Sequence, residues 1–151
     1  SEGVMACQGG NMAGWSLYLD QMGCPIYLYN WFGHELTFVA STTPLDAGAY
    51  EVTLTYHHDG GFGAGGEASL SVNGVTVAAC RIPRTVPVIY SMSGETFDIG
   101  RDTGSPVGPY PHDFAFTGSI ESVTLERLSE PSDATKKAER KGQFQASLSS
   151  Q

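Results

Sequence analysis

Tyr50-Glu51-Val52-Thr53-Leu54-Thr55-Tyr56 is the stretch whose pattern decides the fold. Tyr50, Val52, Leu54 and Tyr56 fall on one side of an extended chain, while Glu51, Thr53 and Thr55 fall on the other. Alternation with period two describes a strand that buries one face and wets the other. The pattern returns downstream at Ala68, Leu70 and Val72, and Asn73-Gly74 follows at once. That dipeptide suits a type I′ turn, which needs positive φ at both central residues, so residues 75–80 are expected to fold back as the partner strand. Between the two alternating runs, residues 56–66 read Tyr-His-His-Asp-Gly-Gly-Phe-Gly-Ala-Gly-Gly, with five glycines in eleven positions. Such density costs backbone entropy and is kept where the chain needs positive φ or close approach.

Working outward, short β-rich runs recur at residues 4–7, 15–19, 26–32 and 35–40, separated by turn residues such as Asp20 to Pro25 and Gly33. Beyond the hairpin, Pro83 and Pro87 bracket a segment that must be an edge or a crossover, because proline donates nothing to a ladder. Residues 88–91 and 96–99 read as further short strands, 102–113 as a long loop, and 120–128 as a last strand with Val123 and Leu125 inward. No helical period separates these runs. The fold class is therefore all-β, an antiparallel β-sandwich of the jelly-roll or concanavalin A-like kind. The sandwich is expected over residues 1–129 and a polar tail over 130–151, where Ser132 caps a short helix that lacks an apolar stripe.

Charge excludes some partners. The chain carries 16 acidic and 8 basic residues, a formal net charge of −8. Such a surface repels phosphate backbones and anionic headgroups, so nucleic acid is not expected as a partner. No apolar run approaches the ~18 residues of a membrane span, so no insertion is expected. The opening Ser-Glu-Gly-Val runs almost directly into the first apolar stretch, as the start of an excised domain would.

The polar residues offer little familiar chemistry. The glycine stretch has no GxGxxG opening a helix and no Gly-Lys-Ser/Thr, which argues against a phosphate cradle. Its functional reading is a bare backbone surface, formed by His57, His58, Asp59, Gly60, Gly61, Gly63, Gly65 and Gly66, against which another domain or a ligand packs. The plainer reading is a hairpin connector. His57 and His58 are strand neighbours and point to opposite faces, so they are not expected to share a transition metal. No cofactor is expected, with calcium at Asp98 and Asp102 the one cation the glycine-rich loop around them suggests. Bracing of that loop by hydrogen bonds is the plainer role for both. Cys7, Cys24 and Cys80 leave at least one thiol unpaired, and a buried apolar role is expected for each. Tyr27, Tyr29, Trp31, Tyr90 and Tyr110 would make a carbohydrate-stacking platform if exposed, and core if not.

An ordered set of motifs carries a family resemblance. Gly14-Trp15-Ser16-Leu17-Tyr18, Tyr29-Asn30-Trp31-Phe32-Gly33 and Pro44-Leu45-x-x-Gly48 come first. Tyr56-x-x-Asp59-Gly60-Gly61-x-Gly63-x-Gly65-Gly66 follows, then Phe97-Asp98-Ile99-Gly100-x-Asp102-Thr103-Gly104-Ser105-Pro106-Val107 and Phe116-Thr117-Gly118. In this order the chain resembles the C-terminal accessory domain of large bacterial arylsulfatases. The resemblance implies a β-sandwich appended to a sulfate-ester hydrolase, with the catalytic domain as its partner. The family's catalytic Cys/Ser-x-Pro-x-Arg motif does not come with it. Cys80-Arg81-Ile82-Pro83-Arg84 places arginine at the fifth position but proline at the fourth, so no catalytic residue is assigned. A free-standing carbohydrate-binding, lectin-like domain is the alternative.

Overall fold

Eight strands and no helix make up the computed structural model, which describes residues 1–86 and 97–126. The first sheet holds β1 (Gly3–Gly10), β2 (Ala13–Leu19), β3 (Pro25–Trp31), β4 (Glu35–Ala40) and β8 (Phe97–Ile99), in the order β4-β3-β2-β1-β8. The second holds β5 (Val52–His58), β6 (Ala64–Val72) and β7 (Val75–Arg84), in chain order. Every strand pair is antiparallel. The two sheets face each other as the alternation implied, a β-sandwich. Within each sheet, chain neighbours pair with one another, and only β8 returns from afar to flank β1.

The turn at Asn73-Gly74 forms as expected, with φ of 49° and 80°. The Asn73 side-chain oxygen also accepts a hydrogen bond from the Glu51 N–H at 2.9 Å, tying the turn to the entrance of β5. β7 runs four residues further than the expected strand and passes through Pro83. It can do so because it is the outer strand of its sheet.

The expected last strand is corrected. Residues 121–126 carry no strand structure, and Leu125, expected inward, is 71% exposed. The strand that completes the larger sheet beside β1 is β8, from residues 97–99, and not this segment. Residues 88–91, 127–128 and the expected tail helix lie outside the described residues.

Two cores result, one on each face of the larger sheet. Tyr27, Tyr29 and Val39 meet Ala68, Leu70 and Ile82 between the sheets. On the opposite face Val4, Cys7, Tyr18 and Leu28 are roofed by Val107, with Tyr110 and Phe114 packed alongside. The roof is the irregular segment 100–118, anchored to β1 by bonds from Val4 N to Phe114 O at 2.8 Å and from Gly100 N to Met5 O at 3.0 Å. Burying an aliphatic or aromatic side chain contributes about 1.5–3 kcal/mol, so both clusters matter to stability.

Candidate functional site: the glycine loop and an acid–thiol cluster

The expected interface residues divide between a loop and the two strands it joins. His57 and His58 end β5, Asp59 through Gly63 form the connection, and Gly65 and Gly66 already belong to β6. Asp59 N donates to Gly65 O at 2.9 Å and closes the hairpin. Gly60, Gly61 and Gly63 have φ of 89°, 100° and 69°, the left-handed region that side chains with a Cβ resist. The tip therefore has a defined path, and it lifts the Phe62 side chain into solvent at 65% exposure.

Several polar groups at the loop base are put to local use. His58 Nδ1 accepts from Gly60 N at 3.0 Å, which assigns the ring hydrogen of the neutral form to Nε2. That nitrogen faces Thr85 Oγ1 at 3.4 Å, while the threonine hydroxyl donates to Ala64 O at 2.7 Å. His57 stands on the opposite face, level with Glu67. Next to it Arg81 pairs with Glu67 at 3.0 Å and with Asp59, whose carboxyl is held below its usual range chiefly by that hydrogen bond. Gly65 and Gly66 are buried, not displayed. A Cβ at Gly65 would lie 2.2 Å from Ile82 O, and one at Gly66 would lie 2.2 Å from His57 O.

A second group assembles where β1 meets β8 and segment 100–118. β8 pairs with β1 so that Cys7 stands level with Asp98, on the face roofed by segment 100–118. From that segment Asp102 points inward and is only 1% exposed. The Cys7 sulfur and one oxygen from each carboxylate lie within 4.8 Å of one another. Asp98 Oδ2 accepts from Thr103 N at 2.9 Å and from Thr103 Oγ1 at 2.8 Å. Asp102 Oδ2 accepts from Val107 N at 2.9 Å and Tyr110 Oη at 2.6 Å. Burial, reinforced by the hydrogen bond to Asp102, pushes the Tyr110 hydroxyl well above its usual range. Burial pushes the Cys7 thiol up too, with the two aspartates adding to the effect.

Calcium fits this set poorly: it takes six to eight oxygens, and a sulfur stands where an oxygen would be needed. Asp98 and Asp102 both brace the loop, as their plainer reading had it. Nothing in the spacing around Asp98 points to Cys7, which joins only through strand pairing. Among the described residues, no histidine belongs to a group of three convergent metal-binding side chains.

The aromatic residues are distributed by burial. Tyr27 and Tyr29 lie in the core between the sheets, and the Tyr29 hydroxyl accepts from Val86 N at 2.8 Å. Trp31 is covered by the Arg84 guanidinium, 3.9 Å from the ring centroid, which also pairs with Glu35 at 2.9 Å. Tyr110 packs on Tyr18 and Phe114, and Tyr90 lies outside the described residues. These rings form no shared exposed platform among the described residues. A shallow open groove does occur, lined by Ser1, Glu2, Gln21, Met22, Leu45 and Thr117 among others.

The three cysteines are free thiols. Cys7 and Cys24 are buried, whereas Cys80 is half-buried and its thiol faces Phe38 O at 3.6 Å. Burial raises all three thiol pKa values, so native reactivity toward an aromatic disulfide reagent should be low. Cys80 is expected to react first in the folded chain, with Cys7 and Cys24 appearing only on unfolding. Rapid modification of three equivalents without denaturant would contradict this.

No helix among the described residues is long and apolar enough to cross a membrane. Comparison with protein-family models, with curated proteins and with solved structures found no match.

Proposed function

We propose that this chain is a non-catalytic packing module that docks on a partner domain through its glycine loop. The observation that carries the reading is Phe62. A large aromatic side chain, 65% exposed, stands on a loop whose neighbouring glycines hold left-handed φ. Exposed aromatics on well-defined backbones serve as anchors in interfaces, because they bury much area at small cost in side-chain entropy. The surrounding glycines present little side-chain bulk, which lets a partner surface approach the backbone closely. The ordered resemblance to the accessory domain of arylsulfatases supplies the partner: the catalytic domain of a sulfate-ester hydrolase, in the same chain or a separate one.

The test uses the parent catalytic domain, recognised by its Cys/Ser-x-Pro-x-Arg motif, titrated with this chain. Phe62→Ala should weaken association at least tenfold, equivalent to about 1.4 kcal/mol, while leaving the melting temperature unchanged. Association unaffected by Phe62→Ala would remove the loop as the docking surface. The chain alone should not turn over a chromogenic aryl sulfate. Turnover that co-purifies with it and vanishes in Cys80→Ala would overturn the non-catalytic reading.

A further inference from the structure

We propose that Asn73-Gly74 is a site of backbone modification, at which the folded chain converts Asn73 to isoaspartate and aspartate through a cyclic imide, with water as co-reactant. The site lies at the far end of β6 from the glycine loop and is independent of the docking role. The sequence holds one Asn-Gly and one Asp-Gly, at Asn73-Gly74 and Asp59-Gly60. Each sets a side-chain carbonyl carbon just before an unhindered backbone nitrogen, so ring closure is intramolecular and outruns attack from outside. The fold opens the first pair to this reaction and closes the second.

At the turn both reacting groups are available. Asn73 and Gly74 are exposed, and a Cβ at Gly74 would meet nothing within 4 Å. Val72 stands level with Val75, so the ladder closes around the pair and leaves the Gly74 N–H outside it. Asn73 Oδ1 accepts the Glu51 N–H at 2.9 Å. That bond draws electron density from Cγ and is in place to stabilise the negative oxygen that forms when Cγ is attacked. In the step itself hydroxide takes the Gly74 N–H proton, and the nitrogen lone pair forms a bond to Cγ. The Cγ–Nδ2 bond breaks, and the nitrogen takes a proton from water and leaves as ammonia. Water then opens the imide, at Cγ to give aspartate or at the main-chain carbonyl to give isoaspartate, and no oxidation state changes. Asp59-Gly60 has both groups engaged: Gly60 N donates to His58 Nδ1 at 3.0 Å, and the Asp59 carboxylate pairs with Arg81. An ionised carboxylate resists a nucleophile, and the arginine keeps it ionised. Aspartate at position 73 would still offer Glu51 N an acceptor. Isoaspartate instead adds a methylene to the main chain inside a two-residue turn and unseats the start of β7.

The full-length chain is aged in mildly alkaline buffer beside a synthetic peptide of residues 69–78. Both are sampled over time by digestion, mass spectrometry and enzymatic methylation of isoaspartate. Residue 73 of the folded chain should convert at a rate within about tenfold of the peptide's, and the rate should rise in proportion to hydroxide. Isoaspartate should exceed aspartate there, and residue 59 should stay intact. Gly74→Ala, which places a methyl group beside the attacking nitrogen, should slow conversion about tenfold in the chain and in the peptide alike. The peptide keeps that comparison decisive whatever the variant does to the fold. A folded chain that outlasts the peptide by more than about tenfold, conversion indifferent to Gly74→Ala, or isoaspartate at residue 59 ahead of residue 73 would each overturn the site.

Discussion

Gly66→Ala is expected to destabilise the chain by about 3 kcal/mol, the upper end of what overpacking a well-filled interior costs. The added Cβ would sit 2.2 Å from the His57 carbonyl oxygen and 2.8 Å from the Tyr56 ring. The first of these is backbone in the paired strand β5, so relief requires moving the strand and not merely a side chain. Gly65→Ala should behave alike, since its Cβ would meet the carbonyl oxygens of Ile82 and Pro83 in β7, at 2.2 and 2.4 Å. Gly74→Ala makes the comparison informative. There a Cβ meets nothing within 4 Å, and the cost is only that of holding φ at 80°. About 1–2 kcal/mol is expected for it. Urea unfolding of the three variants should rank Gly65→Ala and Gly66→Ala well below Gly74→Ala in midpoint. Near-wild-type midpoints for the first two would show that the β5–β6–β7 sheet is laxer than its geometry.

Asp102→Ala should be comparably damaging, by about 2–5 kcal/mol. The substitution leaves the Val107 N–H and the Tyr110 hydroxyl without their acceptor, and a stranded buried donor costs about 1–3 kcal/mol. Both donors belong to the segment that roofs Val4, Cys7, Tyr18 and Leu28, so the loss should fall on the roof and not on the two sheets. Hydrogen exchange should accelerate at Val107 and Phe116 before it does in β6. Tyr110→Phe removes one donor and keeps the ring, and about 1 kcal/mol is expected for it. Uniform acceleration across both sheets in Asp102→Ala would show that the roof is not a separable layer.

Much of the sandwich was legible because its signals are local. The alternation through Val52, Leu54 and Tyr56 and the Asn73-Gly74 turn needed no knowledge of distant residues. The misreadings lie where the outcome depends on partners far along the chain. Val123 and Leu125 alternate as a strand would, yet alternation does not say which segment pairs with β1, and β8 takes that place. Gly65 and Gly66 looked continuous with the loop because glycine is read as punctuation. Their role in β6 is to let neighbouring backbones approach, which composition does not reveal. Cys7 carried no mark of its proximity to Asp98 and Asp102, since the register between β1 and β8 brings the first and the path of segment 100–118 the second.

The roof also has a consequence for the order in which the chain folds. β1 precedes β8 by some ninety residues in the chain, and its far side is completed only when β8 pairs with it and Thr117 N bonds to Glu2 O at 2.9 Å. The hairpins β1–β2, β2–β3 and β3–β4 close between neighbours and can form early, since short loops cost little entropy. Contacts between the first ten residues and segment 100–118 span nearly the whole sandwich and close its largest loop. Such non-local closure slows folding. Substitutions at Val107 or Phe114 should therefore speed unfolding while leaving the folding rate nearly untouched, whereas Leu70→Ala should slow folding itself. A chain still being synthesised would meanwhile hold β1 with one ladder edge and one apolar face bare, until residues 97–118 arrive to cover both.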